Sequence, residues 1–441
     1  MLDSNPEIRQ TIRVSSKHRF QPTWLFVAIA LVATGYLAAI GLVLWQHLYL
    51  PVHYDEFFYS RRFAVLQRAG WLTSLAQGDP AGYYAVVRLV GADANFLLGG
   101  RAVSLVSTGL VFAAVWRITS RMVSRVARAF AMLALLNLTL AGNGFMFIAT
   151  TDSLFLLVIV GALLAAERAA HTPRARDAVM AGAVLAFAWA VRPLAVIYTV
   201  AIAAGIGVLL VRGPRRALTM RFAALLLSTC AVGVFVQQVP AIFGRGVIAF
   251  ENKNAPGMIW AEVKYLSRLK FEERGGSLSE WLKVPVLRFR DVAAYKAEHG
   301  PQALPSTRWQ QLGWSPWRTM RDFVETLLLR DTFYFAGLLG ILFPLAWMRV
   351  PSTLDAETGQ SMFLGSVLIA YVVVLTLLTS PFMEWRWLVP SLCLVALRGA
   401  FALDRLSLTH ARVVLPLAIL QLLFLCASLI FWTSRVLRVQ V

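Results

Sequence analysis

Asp55 and Glu56 stand side by side in His53-Tyr54-Asp55-Glu56-Phe57-Phe58-Tyr59, directly after the first long apolar run of the chain. Carboxylates at the edge of an apolar medium, where the dielectric falls, fit one of two tasks. Asp55 suits the first turn of a helix, where the dipole favours negative charge. It equally suits a general base that accepts a proton from a hydroxyl as a new bond forms. Asp152 raises a similar pair of readings, because it opens a later apolar run after Asn143-Gly144-Phe145 and Thr150-Thr151. It is a helix cap or a second functional acid, since an acid at membrane depth is costly unless it faces protein or water. Arg192, before Pro193 and between two apolar runs, favours a buried or cavity-lining place. Arg386, in Met383-Glu384-Trp385-Arg386-Trp387, is either an interfacial anchor or a functional cation.

The chain that carries these groups is unsuited to water. Its 441 residues are 58% hydrophobic and 15% charged, and its mean hydropathy is +0.65, so most of its surface must meet lipid. The net charge of +19 is spread in short basic clusters between apolar segments, a pattern of topology signals and not of a nucleic-acid patch. Cys230, Cys393 and Cys426 lie inside apolar segments as small hydrophobes, with neither disulfide nor metal spacing. Eleven runs are candidates to span the hydrocarbon: Trp24–Trp45, Ala102–Ile118, Val126–Leu140, Ser153–Ala166, Ala178–Val191, Leu194–Val211, Phe222–Phe243, Thr332–Met348, Met362–Ser380, Trp387–Leu403 and Val413–Trp432. The first is too long for a signal-peptide core and is expected to remain as a signal anchor.

The positive-inside rule orients them. A cytoplasmic amino terminus also places Arg117, Arg121 and Arg125, then Arg168, Arg174 and Arg176, then Arg212, Arg215, Arg216 and Arg221 inside. The outer face then receives a first loop over 50–101, the turns at 141–151 and 192–193, a large loop over 244–330 and the turn at 381–386. All the acids and arginines singled out above fall on that face. Tyr59, Phe63 and Leu66, with Arg61 and Arg68 opposite, predict a short amphipathic helix on the interface, and Trp260, Trp281, Trp309, Trp314 and Trp317 suit a large loop lying along it. The organisation is therefore a cytoplasmic segment 1–23, a transmembrane module 24–243, an outer loop 244–330 and carboxyl-terminal helices 331–441.

After the first apolar run, Asp55-Glu56, Tyr59, Pro80 with Tyr83-Tyr84, Gly91 and Arg101 follow one another in an order and approximate spacing that resembles the GT-C glycosyltransferases, in particular the branch of the protein O-mannosyltransferases and lipid A aminoarabinose transferases. The departure is Asp79-Pro80-Ala81-Gly82 in place of the family's double proline. The likeness covers about the first 210 residues. It implies an all-α GT-C bundle of about eleven helices, a polyprenyl-phosphate-linked sugar donor, and inversion at the anomeric carbon with Asp55, assisted by Glu56, as base toward a hydroxyl of a glycolipid, polysaccharide or protein. A phosphate leaving group needs no acid, only cations, and the planar fork of arginine fits two phosphate oxygens. Arg192, Arg386, Arg101 and His53 are the expected phosphate ligands. Asp152, Tyr59, Tyr83, Glu384 and Lys253 are expected toward sugar and acceptor.

No cofactor is expected, with a divalent metal on the oxygens of Asp55, Glu56 and Asp152 as the alternative. The first loop has no Asp-x-Asp, the chain no histidine pair at ligand spacing, and no glycine-rich phosphate loop points to a soluble nucleotide sugar. An Arg- and Ala-rich composition favours a bacterial cytoplasmic membrane. Two alternatives remain: a flippase for a lipid-linked saccharide, which would need charges along a path at mid-membrane depth, and a non-catalytic assembly subunit.

Overall fold

The computed structural model describes residues 22–49, 54–91, 95–142, 146–171, 174–212, 216–249, 259–276, 287–348, 355–380 and 384–438. Among these residues the regular structure is helical throughout. Helix α1 (Thr23–Tyr49) leads to α2 (Tyr54–Ala76) and α3 (Ala81–Leu89), which lie between the first two long apolar helices. Six helices follow: α4 (Phe96–Met122), α5 (Arg125–Ala141), α6 (Asp152–His171), α7 (Ala175–Val191), α8 (Ala195–Arg212) and α9 (Arg216–Arg245). The large loop folds into α10 (Trp260–Glu273), α11 (Phe289–His299), α12 (Arg308–Trp314) and α13 (Pro316–Glu325), and continues through a π-helical turn (Thr326–Asp331). The chain closes with α14 (Thr332–Leu339), α15 (Leu342–Trp347), α16 (Asp355–Thr379), a 3-10 turn (Trp385–Trp387), α17 (Val389–Thr409) and α18 (Ala411–Arg438).

The eleven apolar runs lie mostly on helix, and four helices, over Thr23–Gln46, Phe96–Ser120, Thr219–Arg245 and Arg412–Arg435, are long and apolar enough to cross a membrane. Thr332–Met348 is not the single span expected from its hydropathy. Gly340 (φ 59) breaks it into α14 and α15. Gln421 of α18 repairs the opened backbone, accepting from the Ile341 N–H at 2.9 Å and donating to the Leu339 carbonyl at 3.1 Å. Where no water reaches, irregular backbone survives only with such partners. A second polar knot ties α1, α5, α14 and α18: the Tyr36 hydroxyl donates to Asn137 Oδ1 (3.0 Å), the Ser428 hydroxyl to the same oxygen (2.7 Å), and Asn137 Nδ2 to the Leu338 carbonyl (2.8 Å).

Small residues set how closely helices approach. A Cβ on Gly182 of α7 would stand 2.4 Å from the Leu226 carbonyl oxygen and 2.8 Å from Thr229 Cβ of α9. Gly182→Val is therefore expected to destabilise the bundle by about 1–3 kcal/mol, the usual cost of overpacking. The midpoint of thermal unfolding in detergent checks this, with Gly207→Val, where a Cβ meets nothing within 4 Å, as the control.

The helices place the two kinds of loop at opposite ends. Asp404 near the end of α17 accepts from the backbone N–H of Ser124 in the α4–α5 connection at 2.8 Å. Asp55, Glu56, Arg101, Asp152, Arg192 and Arg386 gather at the other end. There α2 buries Tyr59, Phe63 and Leu66 and leaves Arg61 and Arg68 exposed, as the spacing predicts, and it kinks at Gly70, whose φ of 81 suits glycine. The large loop forms a small subdomain whose own core is Val263, Tyr265, Leu266, Val292 and Leu304. Trp260, Trp309, Trp314 and Trp317 are exposed on it, and Trp281 lies outside the described residues.

Candidate active site

The site is built on a stretch of buried, non-helical chain between α5 and α6. Residues 146–151 carry backbone groups that lipid cannot satisfy, and α4 supplies the partners from one face. Ser104 donates to the Ile148 carbonyl at 2.7 Å and Thr108 to the Met146 carbonyl at 3.0 Å. Arg101, three residues before Ser104 on the same face, grips Glu56 in a two-pronged pair, with both N–H···O distances at 2.8 Å. Glu56 in turn accepts from the Ala149 N–H at 2.7 Å and is fully buried. The Tyr59 and Thr151 hydroxyls are 3.1 Å apart. Through these bonds α2, α4 and the 146–151 segment are locked together, and the lock sets where α6 begins.

Asp152 is the first residue of α6, and its neighbours come from far along the chain. Asp152 pairs with Arg192 at the end of α7, and its other oxygen lies 3.5 Å from Arg386 Nη1. The same Arg386 nitrogen is 2.9 Å from Asp55 Oδ2, and Arg386 Nε is bound by Glu384. The result is a continuous line, Asp55–Arg386–Asp152–Arg192, with side chains 17%, 11%, 8% and 9% exposed. Burial opposes the charge of Arg386, but Asp152, Glu384 and Asp55 together hold its guanidinium above the ordinary value. Each guanidinium carries five N–H donors in a planar fork, the geometry that suits the oxygens of an anion such as phosphate.

Tyr83 is buried beneath this line. Its ring packs on Tyr59, Tyr84 and Phe96, and its hydroxyl is buried without a hydrogen-bond partner among the described residues. The hydroxyl sits against Gly100 and Ala149, where a Cβ on Gly100 would come within 2.8 Å of it. Burial first, then the charges of Tyr59, Glu56 and Asp152, push its pKa well above the usual value, so it remains a neutral donor. An unsatisfied buried hydroxyl costs about 1–3 kcal/mol. Tyr83→Phe is accordingly expected to unfold at the same or a higher temperature than the parent protein in detergent; a clear loss of stability would show that the hydroxyl already has a partner.

Of the residues expected from sequence, Asp55, Asp152, Arg192, Arg386 and Glu384 converge. Glu56 and Arg101 belong to a different unit: adjacency in sequence suggested that Glu56 works with Asp55, but successive helical residues point in different directions, and Glu56 turns inward to Arg101. Arg101 is thereby engaged by a carboxylate and not turned to the Arg386 line. Tyr59 and Tyr83 lie in the buried layer beneath. His53 and Lys253 lie outside the described residues. Ser104 and Thr108 were not singled out from sequence, although their spacing after Arg101 writes a polar stripe on an apolar helix, the signal that could have found them. Asp79 was noted only as a departure from the double proline; it is buried and pairs with Arg62 at 3.0 Å, with Ser74 donating to it at 2.8 Å.

An apolar helical bundle whose acids and arginines collect at one end fits a membrane glycosyltransferase of the GT-C type, and comparison with known families supports that class. Residues 86–239 match the family described as dolichyl-phosphate-mannose-protein mannosyltransferase, one of the GT-C superfamily. The match spans less than half of the chain and includes Arg101, Asp152 and Arg192 but neither Asp55 nor Arg386. No curated protein matches the chain.

Proposed function

We propose that the protein transfers a sugar from a polyprenyl-phosphate-linked donor to an acceptor hydroxyl, with inversion, at the non-cytoplasmic face of the membrane. The observation that carries this reading is the line Asp55–Arg386–Asp152–Arg192, assembled from four distant segments at one end of the bundle. The matched family is named for a lipid-phosphate sugar, which supports a donor of that chemistry. The short basic connections between apolar runs support an amino terminus on the cytoplasmic side, and the Arg- and Ala-rich composition supports a bacterial cytoplasmic membrane.

Asp55 accepts the proton of the acceptor hydroxyl while its oxygen attacks the anomeric carbon from the side away from the phosphate. The bond from that carbon to the phosphate oxygen breaks, and its electron pair leaves with the phosphate. Arg386 and Arg192 receive the departing charge as paired N–H donors. An entering phosphate competes with Asp55 for Arg386 and so frees a carboxylate oxygen for the acceptor. Asp152 holds both arginines in register, and Glu56 with Arg101 fixes the start of α2 that presents Asp55. The reaction proceeds without a metal or cofactor. Sugar and acceptor, whether glycolipid, cell-envelope polysaccharide or protein, are chosen beside Glu384, with Tyr59 and Tyr83 supporting the site from the buried layer.

Incubation of the purified protein with a panel of radiolabelled polyprenyl-phosphate sugars tests the reading. Release or transfer of label from one member, absent in Asp55→Asn, is the expected result. Label retained on every carrier, with the protein folded, would overturn it in favour of a non-catalytic or transporting role.

A further inference from the structure

A second group of cations lies on the large-loop side of Arg386. Lys264 of α10 donates to the Thr379 carbonyl at 3.0 Å, at the end of α16, and stands 5.9 Å above the ring of Trp387, the residue after Arg386. Arg308, at the start of α12, is drawn toward α10 by Ser306, whose hydroxyl donates to Glu262 Oε1 at 3.2 Å. Its Nη1 donates to Gln311, but its Nε–H and Nη2 groups are buried with no hydrogen-bond partner among the described residues. Arg330 comes from the π-helical turn, which is fastened to the same end of α16 by Thr326 and Ser380, 2.8 Å apart, and by Thr376 donating to Asp331.

Two of these cations, Lys264 and Arg308, are poorly compensated. Among the described residues neither Lys264 nor Arg308 forms an ion pair; Asp322 faces Arg308, and Glu384, already bound to Arg386, faces Lys264. Burial, and then the charge of Arg308, push the Lys264 ammonium down to about 7, with Arg330 adding to the effect. Buried N–H groups left open cost free energy, and crowded like charges add to that cost. A lysine that merely closed the end of α16 would explain one bond of Lys264. It would leave the open N–H groups of Arg308 unexplained.

The geometry points to a second anion site, formed by Lys264, Arg308 and Arg330, that holds a phosphate or carboxylate group of a substrate beside the Arg386 line. This rests on the glycosyltransferase reading above for the identity of that substrate. The anion has two sources: the second phosphate of a lipid diphosphate, or an acidic group on the acceptor.

Equilibrium binding to the full chain in detergent separates them, with isoprenyl monophosphate, isoprenyl diphosphate and inorganic phosphate as probes. The diphosphate binding about tenfold more tightly than the monophosphate assigns the site to the donor. Binding of one inorganic phosphate alongside bound monophosphate assigns it to the acceptor. In either case Lys264→Met and Arg308→Gln are expected to remove the additional binding and leave monophosphate affinity within about twofold, while Lys264→Arg retains it. Neither form of additional binding in the parent protein, or both unchanged in variants whose thermal unfolding matches the parent, overturns the second site. Failure of the monophosphate to bind would count against the lipid-phosphate donor, and the second site would then be decided by binding of inorganic phosphate alone, expected in the parent protein and lost in Lys264→Met and Arg308→Gln.

Discussion

Asp55→Asn is expected to lower sugar transfer by about 10²- to 10⁴-fold, the range in which a positioned general base contributes. The amide keeps the shape of the side chain and leaves the helix start intact, but it no longer accepts a proton. Binding of the lipid-phosphate donor should persist, since Arg386 keeps Asp152 and Glu384 as partners and loses a competitor for the phosphate. A large loss in turnover with donor affinity unchanged or improved is therefore the signature. Transfer within about threefold of the parent would remove Asp55 from the chemistry. Asp152→Asn offers the contrast: it loosens both arginines, so donor affinity should fall together with turnover.

Glu56→Ala has the largest expected effect on stability. Glu56 is fully buried, and its two oxygens hold Arg101 and the Ala149 N–H. Removing it leaves a mostly buried guanidinium and a buried backbone donor without their acceptor, and breaking a buried pair of this kind costs about 3–5 kcal/mol. The readout is the midpoint of thermal unfolding together with the yield of monodisperse protein in detergent. The double variant Glu56→Leu with Arg101→Met should recover most of the loss, because a well-packed apolar pair avoids the desolvation that the ion pair incurs. An unchanged midpoint for Glu56→Ala would show that the 146–151 segment is held by Ser104 and Thr108 without help.

These variants divide two residues that are neighbours in sequence. The pairing of Asp55 with Glu56 suggested one catalytic unit, and hydropathy alone gave no reason to separate them. Their separation follows from the helix that begins there. Adjacent side chains on a helix point about 100° apart, so one faces the cluster at the end of the bundle and the other faces α4. The break at Gly340 was hidden for a similar reason: hydropathy measures apolarity and not continuity, and Gln421, the residue that makes the break tolerable, lies 80 positions away.

Composition and the spacing of apolar runs determine that the chain is helical and suited to lipid, because a segment with no water to bond must satisfy its backbone within itself. The order of polar residues after the first run likewise predicts which acids and arginines share one end of the bundle, since successive long helices run in opposite directions. What the sequence leaves open is which of those charges meet. Asp55 and Arg386 are 331 positions apart and Glu56 and Arg101 are 45 apart. Ion pairs form between side chains that packing brings within a few ångströms, and in this protein that packing is decided by close helix contacts at residues such as Gly182 and by a buried loop held on a polar stripe of α4.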